Sequence, residues 1–175
     1  MRMAFKEWLQ AIGKLDYVQG KARPNVDCIL CAVRDNDERV ISLKIFQDDT
    51  LFVSLNLYPY NPGHLMVVPN KHIERFVELE KRELIHIFRT IQGIQLMLDE
   101  LYSPKGYNIG INEGNVAGAS IKHLHVHVVP RYKGELGYID IVGQTRVVPE
   151  GLESVKNRLE KNISKYLNKD FFEKF

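Results

Sequence analysis

The chain has 175 residues, which is enough for one domain with its own hydrophobic core. The formal charge at pH 7 is only +2, so no global field attracts nucleic acid or an acidic membrane, and any polyanion must be met by local groups. The charged N-terminus does not read as a secretory signal, and no apolar run reaches the length of a membrane span. These features predict a cytoplasmic protein without a nucleic-acid or membrane partner.

Hydrophobic periodicity and turn residues predict the order of the elements. Helical spacing or helix punctuation predicts helices over Phe5–Ile12, over Val77–Leu101 and from Pro149 to about Tyr166. Short apolar runs between turn signals predict strands over Val40–Phe46, Leu51–Asn56, Leu65–Val68 and Tyr107–Asn112. Because strands outnumber helices and follow one another at hairpin-like spacing, we expect an antiparallel α+β domain.

The most informative stretch is 122–130, where three histidines alternate with apolar residues. A period of two indicates a strand, with His123, His125 and His127 on one face and Leu124, Val126 and Val128 turned to the core. At about 3.3 Å rise per residue, neighbouring imidazoles should lie about 7 Å apart, which suits a polyphosphate better than a single ion. A catalytic metal held by these histidines, or a merely polar cavity, stays an alternative.

The loop before this strand favours phosphoryl chemistry. Gly114 and Gly118 let backbone N–H groups approach an anion, and Ser120 adds a hydroxyl. A neutral histidine beside such a loop is a competent nucleophile toward phosphorus. We therefore expect a site that transfers or cleaves phosphoryl groups.

Cys28 and Cys31 are the only cysteines and form a C-x-x-C pair. Two cysteines are too few for a disulfide scaffold, so a metal site or a redox pair is favoured. The redox interpretation is weaker because no thioredoxin-like βαβ unit follows. A pair of small buried thiols is the structural alternative.

The segment His123–Arg131 resembles the signature of the histidine triad superfamily of nucleotide hydrolases and transferases. Asn61–Pro69 is similar to the Pro-Gly-His strand of that family, and Lys71–Glu74 to the segment after it. Pro130-Arg131-Tyr132 and Thr145–Glu150 are similar to the fragile-histidine-triad branch, particularly its diadenosine polyphosphate phosphorylases and hydrolases. The resemblance implies one domain over residues 1–175, with an N-terminal arm at 1–27 and a C-terminal extension at 133–175. It also implies an antiparallel sheet of about five strands, one long and one C-terminal helix, and a homodimer that extends the sheet.

Site residues follow from the same resemblance. His125 is expected to attack the α-phosphorus of a dinucleoside polyphosphate and form a nucleotidyl-histidine, which water or phosphate then resolves. His127 would contact the phosphate oxygens, and His64 matches a fourth catalytic-site histidine near the triad. The expected substrate contacts are Asn56, Asn112, Gly118, Ser120 and His127.

A structural zinc is implied as well. In zinc-bearing relatives, a cysteine pair is completed by the histidine after the Gly-His strand and by the first triad histidine. The corresponding ligands here are Cys28, Cys31, His72 and His123. Such a closed tetrahedral site has no open position for an activated water, so His123 would position the strand and do no chemistry.

Two departures from the branch leave the acceptor open between water and phosphate. Gly137 stands where phosphorylase-like relatives carry an asparagine, and Val126 stands where some relatives carry a tryptophan. Two other functions stay open. A nucleoside phosphoramidate hydrolase would share the histidines and differ in its leaving group, and a non-catalytic nucleotide-binding module would keep the triad without turnover.

Overall fold

The computed structural model describes residues 24–135 and 150–173. In chain order these residues form helix α1 (Ile29–Arg34), strands β1 (Lys44–Gln47), β2 (Leu51–Leu55) and β3 (Leu65–Pro69), a 3-10 turn at Phe76–Glu78, helix α2 (Lys81–Tyr102), strand β4 (Gly106–Ile111), a 3-10 turn at Asn115–Ala117, strand β5 (Val126–Arg131), and helices α3 (Leu152–Tyr166) and α4 (Lys169–Glu173). The helix expected over Phe5–Ile12 lies outside the described residues. Within them, no helix combines the length and the apolar character needed to cross a bilayer.

The five strands form one sheet in the order β1-β2-β3-β5-β4, and every neighbouring pair is antiparallel. This architecture, with one long and one C-terminal helix, confirms the predicted α+β fold. Strand β5 lies between β3 and β4, so His127 is opposite Met66 on one side and opposite Gly110 on the other. The most informative strand of the sequence is therefore close to the middle of the sheet.

The two faces of the sheet bury different sets of side chains. One face packs on α2 and α3, and its core includes Val53, Val67, Val128, Ile94 and Leu159. The alternate residues Phe52, Met66 and Val68 pack on the other face against Leu30 and Val33 of α1. Each such side chain contributes about 1.5–3 kcal/mol when fully buried. Because α1 covers the second face, it brings Cys28 and Cys31 to the side that also carries the histidines.

Some boundaries differ from the sequence prediction. The long helix begins at Lys81 and not at Val77, because Leu79 is extended (ψ 133°) and separates it from the 3-10 turn. Residues around Val40 form a turn, with the Val40 N–H donating to the Asp37 carbonyl, so β1 begins only at Lys44. Helix α1 has no counterpart in the predicted order of elements; Cys28 is its N-cap, and the Cys28 side chain accepts from the Cys31 N–H.

Gly63 shapes the turn that delivers His64 to the sheet. Its φ is +80°, a region that residues with a side chain rarely adopt. A Cβ at this position would lie 3.1 Å from Leu98 Cδ2 and 3.4 Å from Pro130 Cγ. Both the backbone conformation and the packing therefore require glycine here.

We predict that Gly63→Ala lowers the free energy of unfolding by about 1–3 kcal/mol, because alanine is strained at positive φ and crowds Leu98. Urea denaturation of the purified variant measures the change. Gly106→Ala is the matched control, since no heavy atom of the described residues lies within 4 Å of the added Cβ and φ is not positive. A loss of stability at Gly63 no larger than that at Gly106 would contradict this account of the turn.

Candidate active site and metal centre

The three triad histidines do not form an evenly spaced row. Strand β5 begins only at Val126, so His123 and His125 precede it. The rings of His125 and His127 are 4.8 Å apart between centroids and nearly perpendicular, in place of the predicted spacing of about 7 Å. The His123 ring instead lies beside His72, with 4.7 Å between centroids. The predicted core contacts of Leu124, Val126 and Val128 are confirmed.

His125 is buried at the edge of a cleft, and its tautomer is fixed by the backbone. Its Nδ1 lies 2.8 Å from the His123 carbonyl oxygen. A carbonyl can only accept, so Nδ1 carries the proton and Nε2 carries the lone pair. Burial lowers the pKa of His125, and the same hydrogen bond partly opposes this. The imidazole is therefore neutral and nucleophilic at Nε2.

A second hydrogen-bonded chain fixes the tautomer of His127. The Tyr60 N–H donates to His64 Nδ1 at 3.1 Å, so the proton of neutral His64 is on Nε2. That nitrogen is 3.0 Å from His127 Nδ1 and donates to it. The proton of His127 is consequently on Nε2, which makes this atom a hydrogen-bond donor. His64, almost fully buried, acts behind His127 and does not line the cleft.

The cleft beside His125 is lined by both apolar and polar residues. Its apolar lining includes Ile29, Leu30 and Val33 of α1, Leu43 just before β1, and Leu55 of β2. Its polar lining includes His125 and every residue expected to contact the substrate: Asn56, Asn112, Gly118, Ser120 and His127. The turn after β2 and the segment 112–127 are thus brought together around one cleft.

The loop 112–120 differs from the anion cradle that the glycines suggested. The N–H groups of Ala117, Gly118 and Ala119 donate to carbonyls of Gly114 and Asn115 within the loop. Gly114 and Gly118 have φ values of +82° and +93°, so both glycines serve the tight turn. These three N–H groups close the loop, and its candidate contacts toward the cleft are the side chains of Asn112 and Ser120.

Asn56 lines the cleft but already has local partners. Its Oδ1 accepts from the Tyr58 N–H at 2.9 Å, and its Nδ2 lies 3.6 Å from Met66 Sδ. The side chain therefore stabilises the turn after β2 as well as facing the cleft. His86, on α2, lies outside the site and contacts Asp48 Oδ2 at 2.6 Å.

The four expected metal ligands converge on one point. The ligand atoms of Cys28, Cys31, His72 and His123 all lie within 4.8 Å of one another. Cys31 Sγ is 3.3 Å from His72 Nδ1 and 3.5 Å from His123 Nδ1. Cys28 Sγ is also 3.5 Å from His123 Nδ1. Two sulfurs and two imidazole nitrogens in this arrangement are a donor set that suits zinc.

The surroundings of the cluster also fit a cation. His123 Nε2 donates to the Pro69 carbonyl at 2.9 Å, which leaves the lone pair on Nδ1 facing the cysteines. Burial raises the pKa of the Cys31 thiol to about 11 and lowers that of His123 to about 4. Burial thus holds His123 neutral, as a metal ligand must be, while the Cys31 thiolate needs a cation beside it.

One polar network was missing from the sequence interpretation. Buried Asn61 donates to the Pro130 carbonyl at 2.7 Å and to Glu135 Oε1 at 3.0 Å. Glu135 also accepts from the Tyr132 N–H and from Arg131. Asn61 stands in the motif before His64, but its partners are 69 and 74 residues away, and no local pattern identifies them.

Comparison with known proteins gives consistent matches. The HIT domain profile matches residues 38–134. The AP-4-A phosphorylase of Mycobacterium tuberculosis is 38% identical over 118 residues, which are 67% of this chain and 60% of that protein. The asymmetrical bis(5'-nucleosyl)-tetraphosphatase of Schizosaccharomyces pombe is 35% identical over 88 residues, 50% of this chain and 48% of that protein. The chain thus matches about half to three fifths of the length of these relatives.

A solved structure supports the same assignment. The zinc-bound histidine triad family protein from Mycobacterium smegmatis superposes with a TM-score of 0.65 at 26% identity, over 79% of this chain and 94% of that one. The profile match covers more than half of the present chain and includes the triad histidines. From its sequence, its sheet and the histidines on it, the chain belongs to the HIT domain family of histidine triad proteins.

Proposed function

We propose that this chain is a nucleotidyl hydrolase or transferase that cleaves dinucleoside polyphosphates through a nucleotidyl-histidine at His125. One observation carries the proposal: the 2.8 Å hydrogen bond from His125 Nδ1 to the His123 carbonyl, at the edge of the cleft, leaves a neutral imidazole with its lone pair on Nε2. The names of the two curated relatives support a diadenosine tetraphosphate-like substrate. The one-domain division, the homodimer and the cytoplasmic location stay predictions from the sequence.

The lining of the cleft matches the two parts of a nucleotide. Its apolar side chains, such as Ile29, Leu30 and Val33 of α1, suit a base and its ribose. Its polar side chains, Asn112, Ser120, His125 and His127, suit the α-phosphate. A nucleotide whose phosphates lie beside these polar side chains brings its α-phosphorus to His125.

The proposed reaction has two displacements at phosphorus. In the first, His125 Nε2 forms a bond to the α-phosphorus, and the bond to the bridging oxygen breaks with its electron pair on the departing nucleotide. In the second, an oxygen of water or phosphate bonds to phosphorus, and the P–N electron pair returns to Nε2. An acceptor proton is released to solvent. His127 Nε2–H donates to a phosphate oxygen, where negative charge develops.

His64 contributes through His127. With its own Nδ1 accepting from Tyr60, His64 can only donate to His127, and so it keeps the proton of His127 on the nitrogen that meets the phosphate. This donor is prepared before the substrate binds, so no reorganisation is needed as charge develops. His64 is therefore proposed as a positioning residue behind the catalytic pair.

Other readings of the triad are less well supported. Within the described residues, the group of side chains that can hold a metal contains His123 but neither His125 nor His127. A catalytic metal on the triad is therefore disfavoured. A phosphoramidate hydrolase would use the same nucleophile, and the substrate test below separates it. A non-catalytic binding module would show no turnover at all.

We predict that the protein converts diadenosine tetraphosphate with release of ATP, because attack at the α-phosphorus expels the other three phosphates on their nucleoside. His125→Ala should lower the turnover by about a thousandfold or more, because it removes the nucleophile. Chromatography of the products, with and without added phosphate, measures both effects. If ADP and ATP form only when phosphate is added, the protein is a phosphorylase. If AMP and ATP form, it is a hydrolase.

His86→Ala is the control for this test, since His86 is a histidine of the same domain that lies outside the cleft. Its turnover per folded molecule should stay within about twofold of the parent. Formation of two ADP molecules would contradict attack at the α-phosphorus. Absence of turnover in the parent, or full turnover in His125→Ala, would contradict the enzymatic proposal.

We propose further that Cys28, Cys31, His72 and His123 hold a structural zinc. When bound, zinc would supply a cross-link between α1, the segment after β3 and the segment before β5. The residues' own contribution is clear from the hydrogen bonds: Pro69 orients the His123 ring, and the His123 carbonyl orients His125. His123 thus connects the two sites, because its ring is a proposed metal ligand and its carbonyl accepts a hydrogen bond from His125.

For this site we predict about one zinc per chain in the parent and loss of most of it in Cys28→Ser, because one thiolate ligand is removed. Elemental analysis by mass spectrometry after gel filtration measures the content, and thermal unfolding should occur at a lower temperature in the variant. His125→Ala should retain the zinc. A zinc content in Cys28→Ser equal to that of the parent, or a loss of zinc only in His125→Ala, would contradict this ligand set.

A further inference from the structure

A second cleft continues from the first along β4 and β5. Its lining includes Tyr60, Asn108, Gly110, Asn112, Arg131 and Glu135. Tyr60, Asn112 and His127 line both clefts, so the two are continuous past His127. The nucleotide cleft therefore has a polar extension on the side of His127 that leads toward the end of β5.

The register of β4 and β5 keeps this extension open. Gly110 is opposite His127, and Asn108 is opposite Val129. Among the described residues, no heavy atom lies within 4 Å of the position that a Cβ of Gly110 would occupy, so none of these residues fills the space beside His127. A ligand that passes His127 can thus lie along the sheet.

Arg131 stands at the far end of this groove with its guanidinium held in place. It is on the same face of β5 as His127, because side chains four residues apart in a strand share a face. Its Nε and Nη2 donate to Glu135 at 2.9 and 2.6 Å, and its Nη1 donates to Asn108 Oδ1 at 2.5 Å. Within residues 24–135 and 150–173, three of its five N–H groups are used, which leaves two for a ligand.

The carboxylate of this ion pair is turned inward. Glu135 also accepts from the Tyr132 N–H at 2.6 Å and from Asn61 Nδ2 at 3.0 Å. Its side chain is 13% exposed, whereas that of Arg131 is 51% exposed. A ligand in the groove therefore meets the cation first, and Glu135 fixes the guanidinium while several donors share its charge.

We propose that the second cleft is a subsite for the distal phosphates of the departing nucleotide, bound by Arg131 and Asn108. This inference rests on the proposed function, since it needs His125 to attack the α-phosphorus. In a displacement at phosphorus, the leaving oxygen departs roughly in line with the nucleophile. Four residues of strand separate His127 from Arg131 by about 13 Å, so Arg131 meets the distal phosphates and not the α-phosphate.

The test compares two substrates that share the first nucleotide. One is diadenosine tetraphosphate, and the other is the p-nitrophenyl ester of AMP, whose leaving group carries no phosphate. In Arg131→Gln, the ratio of kcat/KM for the first substrate to that for the second should fall about tenfold relative to the parent. Arg131→Lys should give an intermediate ratio, because lysine keeps the positive charge but lacks the paired N–H donors of the guanidinium.

The ratio separates this subsite from a general effect on folding or on His127, which would lower both activities together. Arg158→Gln is the matched control. Arg158, on α3, is also a half-exposed arginine, and it forms an ion pair with Glu150 at 2.8 Å. Its ratio should equal that of the parent. An unchanged ratio in Arg131→Gln would overturn the subsite.

Free phosphate is the other anion that this cleft could bind. If Arg131→Gln raised only the KM for added phosphate and left the ratio unchanged, Arg131 would serve the acceptor, and the subsite for the leaving nucleotide would be overturned. Failure of the parent to cleave either substrate would instead overturn the proposed function. The two failures are therefore distinguishable in the same set of assays.

Discussion

The hydrogen bond between His125 Nδ1 and the His123 carbonyl is the contact on which the rest of the site depends. His123 is fully buried, and three of its polar groups have partners: Nδ1 faces the cysteines, Nε2 donates to Pro69, and the carbonyl accepts from His125. The next residue, Leu124, donates its N–H to the Ile73 carbonyl, beside His72. The segment before β5 is thus held by the metal-ligand cluster and by the chain after β3. Orientation of the nucleophile follows from this anchoring.

Hydrogen bonds within the protein also determine which nitrogen of His127 carries the proton. Its proton is placed by His64, and that of His64 by a backbone N–H in the turn at Tyr60. The turn is held to the end of β5 by Asn61, and by the Tyr132 hydroxyl, which donates to the Pro62 carbonyl. Neutral groups and backbone atoms therefore set both tautomers. The single formal charge proposed to contact substrate is on Arg131, away from the reacting phosphorus.

The sequence predicted which residues lie together at the candidate site more completely than it predicted their arrangement. Alternation correctly assigned Leu124, Val126 and Val128 to the core, because the burial pattern holds even where β5 has not begun. It did not predict the rotation of the His123 ring toward Cys28, because that depends on α1 packing on the sheet. The Asn61–Glu135–Arg131 network was also beyond reach, since contacts across 74 residues leave no local periodicity. The glycines of the 112–120 loop were located correctly, but hydrogen bonds within the loop decide which of its groups face the cleft.

In the proposed mechanism, a covalent nucleotidyl group forms on His125 and on no other histidine. Rapid acid-free quenching during turnover of diadenosine tetraphosphate, followed by peptide mass spectrometry, tests this most directly. We expect an adenylyl group on His125 itself, located by fragmentation within the peptide that also carries His123 and His127, and attached through a P–N bond that acid cleaves and base does not. Turnover without any adduct at any quench time, or an adduct on another residue, would contradict it.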